Sequence, residues 1–322
     1  MNIATTYQGI EDITAEEVKG KQVAPGRIAY EGKQTTFTTV IHTYQLIKHF
    51  TFTTIEDIEQ EARGITYNFT KPMRAECERH GNHNFNSVDV EKAFIQVLRT
   101  QGKIINYKQP EEKLFIDIID NNCFIGIPLV MHQQKRTWRM KINNQGTNAV
   151  IAAAMVTLAH YQQGQTIIDP YSKDGTLLIE AATKAPGNIH GYDKSNNNIR
   201  NAEINTKLAK ATITYHQEDN DWITTHFKPG EIDAIISYPP FESQRRKEKH
   251  IKNNYEQLFQ TATELHIPTI VILSPNKNIL TYTPQPPANI KELHLGQQTY
   301  YIISWYDHNA QKAAHKQSNE HH

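Results

Sequence analysis

Three carboxylates and a proline pair have the types and spacing in this chain that could do chemistry. Asp169 closes the apolar run "QTIIDPY", Asp193 closes "GNIHGYD" 24 positions later (193 minus 169), and Asp219 ends "TITYHQED". After Asp169 the chain reads "DPYSKDGT": Pro170 and Ser172 leave the strand, and Gly175-Thr176 open a helix. An ionised carboxylate only accepts hydrogen bonds, so Asp193 suits both hydroxyls of a ribose and Asp219 suits an adenine amino group. A pyrophosphate wants a glycine-rich turn at a helix start. This loop has one glycine and the opposite charges Lys173 and Asp174, so a dinucleotide fits poorly. S-adenosylmethionine, with its ribose, adenine, sulfonium and amino-acid tail, fits better. A strand ending in Asp is common in α/β proteins; three in succession are less so.

The second feature is "IISYPPF", Ile235 to Phe241. An exocyclic amine on a nucleobase is a weak nucleophile until acceptors hold its hydrogens, and an aromatic ring can stack on the base once it leaves its helix. Consecutive prolines fix φ and keep backbone carbonyls aimed. Pro239 and Pro240 are therefore read as orienting carbonyl acceptors, with Phe241 stacking on the base. Tyr238 stands where an Asn or Asp acceptor would be informative, and the base is expected between Phe241 and Tyr238. An ordinary Pro-Pro turn is the plainer alternative.

Positioning these groups requires strands that alternate with helices. "QTIIDPY", "GNIHGYD", "TITYHQED", "EIDAIISY" and "IPTIVILS" read as strands, with helices in "GTLLIEAATKA", "SNNNIRNAEINTKLAKA" (Ser195 as N-cap) and "KHIKNNYEQLFQTATELH". That alternation predicts a parallel sheet covered on both faces over about residues 145–307, ending in an antiparallel hairpin turned at Gly296. The first half predicts an α+β domain for recognition. "GIEDITAEEVKG" reads as a helix, "GRIAYEG" as a strand, and "FTTVIHTYQLIKHF" as another helix. "TYNFTKPMRAECERHG" reads as strand or loop, "SVDVEKAFIQVLRTQG" as a helix, and "KLFIDIIDNNCFIGI" as two strands.

With 322 residues, 38% hydrophobic content and no net charge, the chain is globular, large enough for two domains and not uniformly basic. Its basic residues cluster instead. Lys135, Arg136, Arg139 and Lys141 surround Trp138, and Arg245, Arg246 and Lys247 follow the Pro-Pro loop. Such runs are usually solvated faces; beside a site they predict a phosphate-gripping rim. Cys77 and Cys123 are too few for a disulfide framework, and the sixteen histidines show no HExxH spacing, so no metal is expected. Neither a signal peptide nor a membrane-length apolar run is visible, which points to the cytoplasm.

Nearly the whole chain resembles the THUMP-domain RNA methyltransferases, in particular tRNA guanine-N2 enzymes of archaeal type. "YQGIEDITAEEV" and "GRIAYEG" resemble the family's opening, and "CERHGNHNFNSVDVEKAFIQVL" with "LFIDIIDNNCFIGI" its THUMP core. "RTWRMKINNQGTNAVIAAAMVTLA" resembles the linker and first catalytic helix, "IIDPYSKDGTLLIEAA" the cofactor motif, and "ISYPPF" the catalytic motif. The resemblance implies a ferredoxin-like and THUMP RNA-binding region over 1–130, a Rossmann-like class I methyltransferase domain with a mostly parallel sheet over 131–310, and a polar tail over 311–322. It implies S-adenosylmethionine bound by Asp169, Pro170, Ser172, Gly175, Thr176, Asp193 and Asp219. It also implies tRNA or another structured RNA held by Arg79, Lys108 and the basic clusters, and guanine N2 as the methylated atom. The residues identify no small partner subunit. Two departures stand out. Ser172, Lys173 and Asp174 replace the family's Cys-Gly-Ser, and Tyr238 replaces its Asn or Asp. They leave a second reading open, an RNA-binding protein of the same build with weakened or lost transfer.

Overall fold

The computed structural model describes residues 1–307 except 66, 220–222, 242–247 and 297. The chain forms two compact units. Met1–Thr6 and Thr14–Gln133 make the first; Tyr7–Ile13 and the chain from Gln134 onward make the second.

The first unit is built on a seven-stranded sheet, in order β2-β3-β1-β4-β7-β6-β5. Its strands are β1 (Asn2–Thr5), β2 (Lys21–Ala24), β3 (Arg27–Tyr30), β4 (His42–Thr51), β5 (Met73–His80), β6 (Glu112–Ile119) and β7 (Asn122–Val130). Only β5 and β6 pair in parallel, because helix α3 (Ser87–Thr100) carries the chain back between them. Helix α1 (Glu11–Val18) begins in the second unit's segment and ends in the first. Helix α2 (Ile55–Arg63) packs with α3 on a core of Ile58, Phe94, Leu98, Leu114 and Ile116. Both α2 and α3 start in a reciprocal capping box, Thr54 with Asp57 and Asn86 with Asp89.

One sequence expectation fails here. The helix expected over 37–50 is a turn followed by β4. Val40, Tyr44 and Ile47 fall at i, i+4 and i+7, which imitates a helix. Partners on both sides decide otherwise: β4 pairs antiparallel with β1 and with β7. A buried polar group accompanies it. The Tyr44 hydroxyl donates to Asp117 Oδ2 at 2.9 Å, and Arg27 Nε donates to the same oxygen at 2.7 Å.

The second unit contains the expected doubly wound sheet, in order β10-β9-β8-β11-β12-β14-β13. Its strands are β8 (Thr166–Asp169), β9 (Asn188–Tyr192), β10 (Thr214–His216), β11 (Ala234–Ser237), β12 (Thr269–Ser274), β13 (Asn289–Leu295) and β14 (Gln298–Tyr306). The first five run parallel; β14 is antiparallel to β12 and closes the hairpin with β13. Strands β8, β11 and β12 are buried at every position, so they read as continuous apolar runs and not as alternation. Covering helices are α4 (Ala149–Leu158), α5 (Thr176–Lys184), α6 (Asn196–Ala209), the four-residue α7 (Ile223–His226) and α8 (Glu248–Glu264). Ser195 caps α6 as expected, its hydroxyl accepting from Asn198 N at 3.4 Å. Trp305 and Phe259 meet edge to face at 4.9 Å, joining β14 to α8. Contacts that fasten the segment Tyr7–Ile13 to this unit include Asn148 Nδ2 donating to the Tyr7 hydroxyl at 3.0 Å, Gln8 bridging to His294, and Lys291 pairing with Asp12 at 2.6 Å. None of the described helices is long and apolar enough to cross a membrane.

Candidate functional site

The sheet order places the carboxyl ends of β9, β8 and β11 side by side, with β8 in the middle. Ligands of open α/β sheets bind outside such ends. Asp169 is the last residue of β8, Asp193 follows β9, and Tyr238 follows β11. The predicted carboxylates and the proline loop therefore share one end of one sheet.

Asp169 is fully buried, and it accepts from Ser237 Oγ at 2.6 Å and from Tyr171 N at 2.9 Å. Burial pushes its carboxyl up to about 6; the two hydrogen bonds and the Lys173 charge restrain the rise, and Asp193 adds to it. Asp193 accepts from Lys173 N (3.1 Å), Ser195 N (2.8 Å) and Asn198 Nδ2 (3.0 Å). A carboxylate has roughly four acceptor directions, so one is left for a ribose hydroxyl rather than the two expected. Asp219 forms an ion pair with Lys194, which already engages the carboxylate expected to take an adenine. Gly175 has φ 78° at the start of α5, and a Cβ there would run into the Tyr215 phenol, so the turn needs glycine. Thr176 and Asp174 are tied together, Thr176 Oγ1 donating to Asp174 Oδ1 at 2.9 Å. Ser172 donates to the Tyr192 carbonyl at 3.1 Å, so its hydroxyl braces the loop. Pro170 is buried behind Asp169.

Lys173 decides the shape of this corner. It takes a left-handed φ of 50° and is only 8% exposed. Its ammonium donates to the Tyr238 carbonyl at 2.6 Å and to the Gln145 carbonyl at 2.8 Å, and lies 3.9 Å from the centre of the Tyr238 ring. Two carbonyls and an aromatic face make a complete cation site. The lysine thus spans the gap from the strand-end loop to the proline corner. The carboxylates fit a nucleoside, while the position toward which a sulfonium would turn already holds a positive charge.

Tyr238 is 5% exposed, and burial with the neighbouring Tyr300 pushes its phenol up, so it stays protonated. Its ring stacks on Phe241 at 5.6 Å and 14°. A base held between two rings needs them separated by two stacked contacts, so rings that already pack on each other leave it no room. The sandwich expected between Phe241 and Tyr238 is therefore corrected: the rings pack on each other, and only Phe241, half-buried, borders open space. Pro239 is buried and Pro240 half-buried.

The expected phosphate rim is also corrected in part. Arg136 grips Glu180 through Nε (2.7 Å) and Nη2 (3.2 Å), and Arg139 Nη2 pairs with Asp174 at 3.0 Å. Both guanidiniums are 13% exposed and face buried carboxylates. They pin the segment before α4 to α5 and to the loop that precedes it. Lys135 and Lys141 are exposed, as is Lys108 in the first unit. Arg79 is half-buried and donates to the Gly81 carbonyl at 3.0 Å, with His83 Nδ1 at 2.6 Å. Arg245 and Arg246 lie outside the described residues. Sequence reasoning missed Ser237, Gln145, Tyr215, Glu180 and Asp174 as partners. All five lie far along the chain from the groups they serve or are buried, which spacing alone does not reveal.

Two family models match this chain: "RMKL-like, methyltransferase domain" of UPF0020 over residues 136–295, and the THUMP domain over residues 52–128. The chain joins a THUMP domain to a UPF0020 methyltransferase domain. The tRNA (guanine(6)-N2)-methyltransferase of Archaeoglobus fulgidus is 25% identical over 316 residues, covering 80% of this chain and 78% of that protein. The enzyme of the same name from Thermus thermophilus is 25% identical over 262 residues, covering 74% and 77%. Among solved structures, TrmN from Thermus thermophilus superposes with a TM-score of 0.78 at 18% identity, covering 95% of this chain and 99% of its own. The SMU.472 protein complexed with SAH gives 0.76 at 15% identity, covering 95% and 97%. The expected class I methyltransferase fold behind a THUMP region is therefore present.

Proposed function

We propose that this protein is an S-adenosylmethionine-dependent methyltransferase acting on a guanine exocyclic amine of structured RNA, with tRNA as the first substrate to test. Residues 1–130 hold the RNA and residues 131–310 carry the reaction. The observation supporting this is that Asp193, Asp169 and the proline corner stand on three adjacent strand ends of one sheet, β9, β8 and β11. The two relatives that cover most of the chain, named for guanine-N2 methylation of tRNA, support the same choice. Asp193 holds one ribose hydroxyl, and Asp219 takes the adenine amino group by giving up its exposed pair with Lys194. The bound cofactor would supply an electrophilic methyl group on a sulfonium. Carbonyls of Pro239 and Pro240 accept the amine hydrogens, and Phe241 stacks on one face of the flipped guanine. Exposed Lys108, Lys135 and Lys141 contact phosphates.

Lys173 favours a second reading, an RNA-binding protein whose methyltransferase unit is closed by its own side chain. Its ammonium competes with a sulfonium for the same corner and occupies the Tyr238 carbonyl. One pair of measurements separates the readings: calorimetry with S-adenosylmethionine, and methyl incorporation into unmodified tRNA. Transfer by the wild-type protein supports the enzyme. Tight RNA binding without cofactor binding supports the closed form, and Lys173→Gly with Tyr238→Asn should then recover cofactor affinity. Methyl groups appearing on another base would overturn the guanine assignment.

A further inference from the structure

The edge of the methyltransferase unit's sheet gathers four side chains with metal-ligand chemistry. Successive strand residues point to opposite faces, so His190 and Tyr192 share one face of β9. The register pairs Tyr192 with His216, putting His216 on that face at the end of β10. Glu218 follows two residues later, and α7 ends in His226 above them. Tyr192 and His216 stack at 4.5 Å and 13°. His190 Nδ1 lies 3.2 Å from His216 Nε2, and His226 Nε2 lies 3.4 Å from Glu218 Oε2. Ligand atoms of His216, Glu218 and His226 all fall within 4.8 Å of one another.

Those separations have a physical meaning. With metal–nitrogen and metal–oxygen bonds of about 2.0–2.2 Å, two corners of a tetrahedron stand about 3.3–3.5 Å apart. The close pairs already match, and the remaining separations among His216, Glu218 and His226 need a closure of just over an ångström at most, while His190, beside His216, must turn in to complete the set. Among the described residues Glu218 Oε2 is shielded from solvent and accepts no hydrogen bond, with only the His226 ring 3.4 Å away, a costly state for a carboxylate oxygen that a cation would relieve. The Tyr192 hydroxyl sits 2.9 Å from His226 Nδ1 and can accept that nitrogen's hydrogen when a metal takes the Nε2 lone pair beside Glu218. The other His-Glu-His group, His42, Glu78 and His132, differs. There His42 Nδ1 accepts from the His132 backbone at 3.1 Å, so its hydrogen sits on Nε2 and is donated to Glu78 at 3.0 Å. That imidazole has no lone pair left for a metal.

We propose that His216, Glu218 and His226, with His190 as fourth ligand, form a zinc site. Imidazole with a single carboxylate suits a borderline ion such as Zn2+ over the oxygen-seeking Mg2+ or Ca2+. The ion fastens α7 and the stretch after β10, which carries Asp219, to the sheet edge. It does not depend on the reaction proposed above.

The test uses the full-length protein, stripped with EDTA and reloaded with zinc or cobalt. Because sixteen histidines bind metal loosely, Co2+ absorption in the visible reports tetrahedral geometry specifically. The wild-type protein is expected to show that band saturating at one equivalent, and its melting temperature is expected to rise with Zn2+. His226→Gln and Glu218→Gln should each lose the band and bind at least tenfold more weakly, while His42→Gln keeps both signals. If His226→Gln does not fold, Glu218→Gln, which changes only charge, carries the comparison. Equal metal uptake and equal spectra in the wild-type protein and the Glu218→Gln variant would leave the cluster as hydrogen-bonded histidines only and overturn the site.

Discussion

Asp169 and Lys173 lie four residues apart in the chain and within electrostatic reach of each other in the buried corner. The folded state holds the Asp169 proton up to about 6, above the unfolded value near 3.9, so folding binds that proton more tightly. The stability it contributes is full below the unfolded value and is lost as pH rises through 6. Asp169→Asn keeps an acceptor for Ser237 without the titration. Urea unfolding at pH 5 and pH 7.5 should show the wild-type protein losing stability relative to this variant, by about 1.4 kcal/mol across the window. A second residue-scale prediction concerns Arg27 and Asp117, which pair with side chains 6% and 1% exposed. Burial would lower the guanidinium pKa, yet Asp117 more than offsets it. Asp117→Ala strands that charge and should cost about 3–5 kcal/mol, read from the urea midpoint; Arg27→Met with Asp117→Leu should cost less. At this scale the sequence displayed the acids, since each ends an apolar run. It did not display what each acid already holds, because Ser195 and Asn198 reach Asp193 only through the geometry of the turn into α6, and Lys194 reaches Asp219 only when the strand ends meet.

Elements were more legible than residues. The parallel strands announced themselves as short apolar runs between helices, and Gly296, at φ 64°, turns the final hairpin where expected. Strand β4 was hidden because its apolar residues happen to repeat at helical spacing, and only its two neighbours show otherwise. Caps offer a graded test. Asn86 Oδ1 accepts from Val88 N at 2.9 Å and from Asp89 N at 3.1 Å, whereas Ser195 Oγ accepts at 3.4 Å. Asn86→Ala should therefore destabilise the THUMP unit by about 1 kcal/mol, and Ser195→Ala should cost the other unit less. Thermal unfolding of the two variants checks the order.

For the whole molecule, a formal net charge of zero means that RNA affinity must come from a few placed cations and not from a general field. Arg136 looks in the sequence like one of them and is instead bound to Glu180. Arg136→Ala should lower the melting temperature while leaving the salt dependence of RNA binding unchanged. Lys141→Ala should do the reverse, reducing the slope of log affinity against log salt by about one. Filter binding from low to high salt, beside a melting curve, separates the two.

The short segment Tyr7–Ile13 has a bearing on how the protein is made. It leaves the ribosome long before its partner, since Gln8 bridges to His294, which arrives 286 positions later (294 minus 8). The polypeptide passes out of the first unit, into the second and back before its twentieth residue. A gene fragment beginning near residue 134 therefore yields the second unit without the piece that holds Asn148 and Lys291. Excision with one cut leaves a defective product, and repair requires supplying those seven residues as a separate peptide.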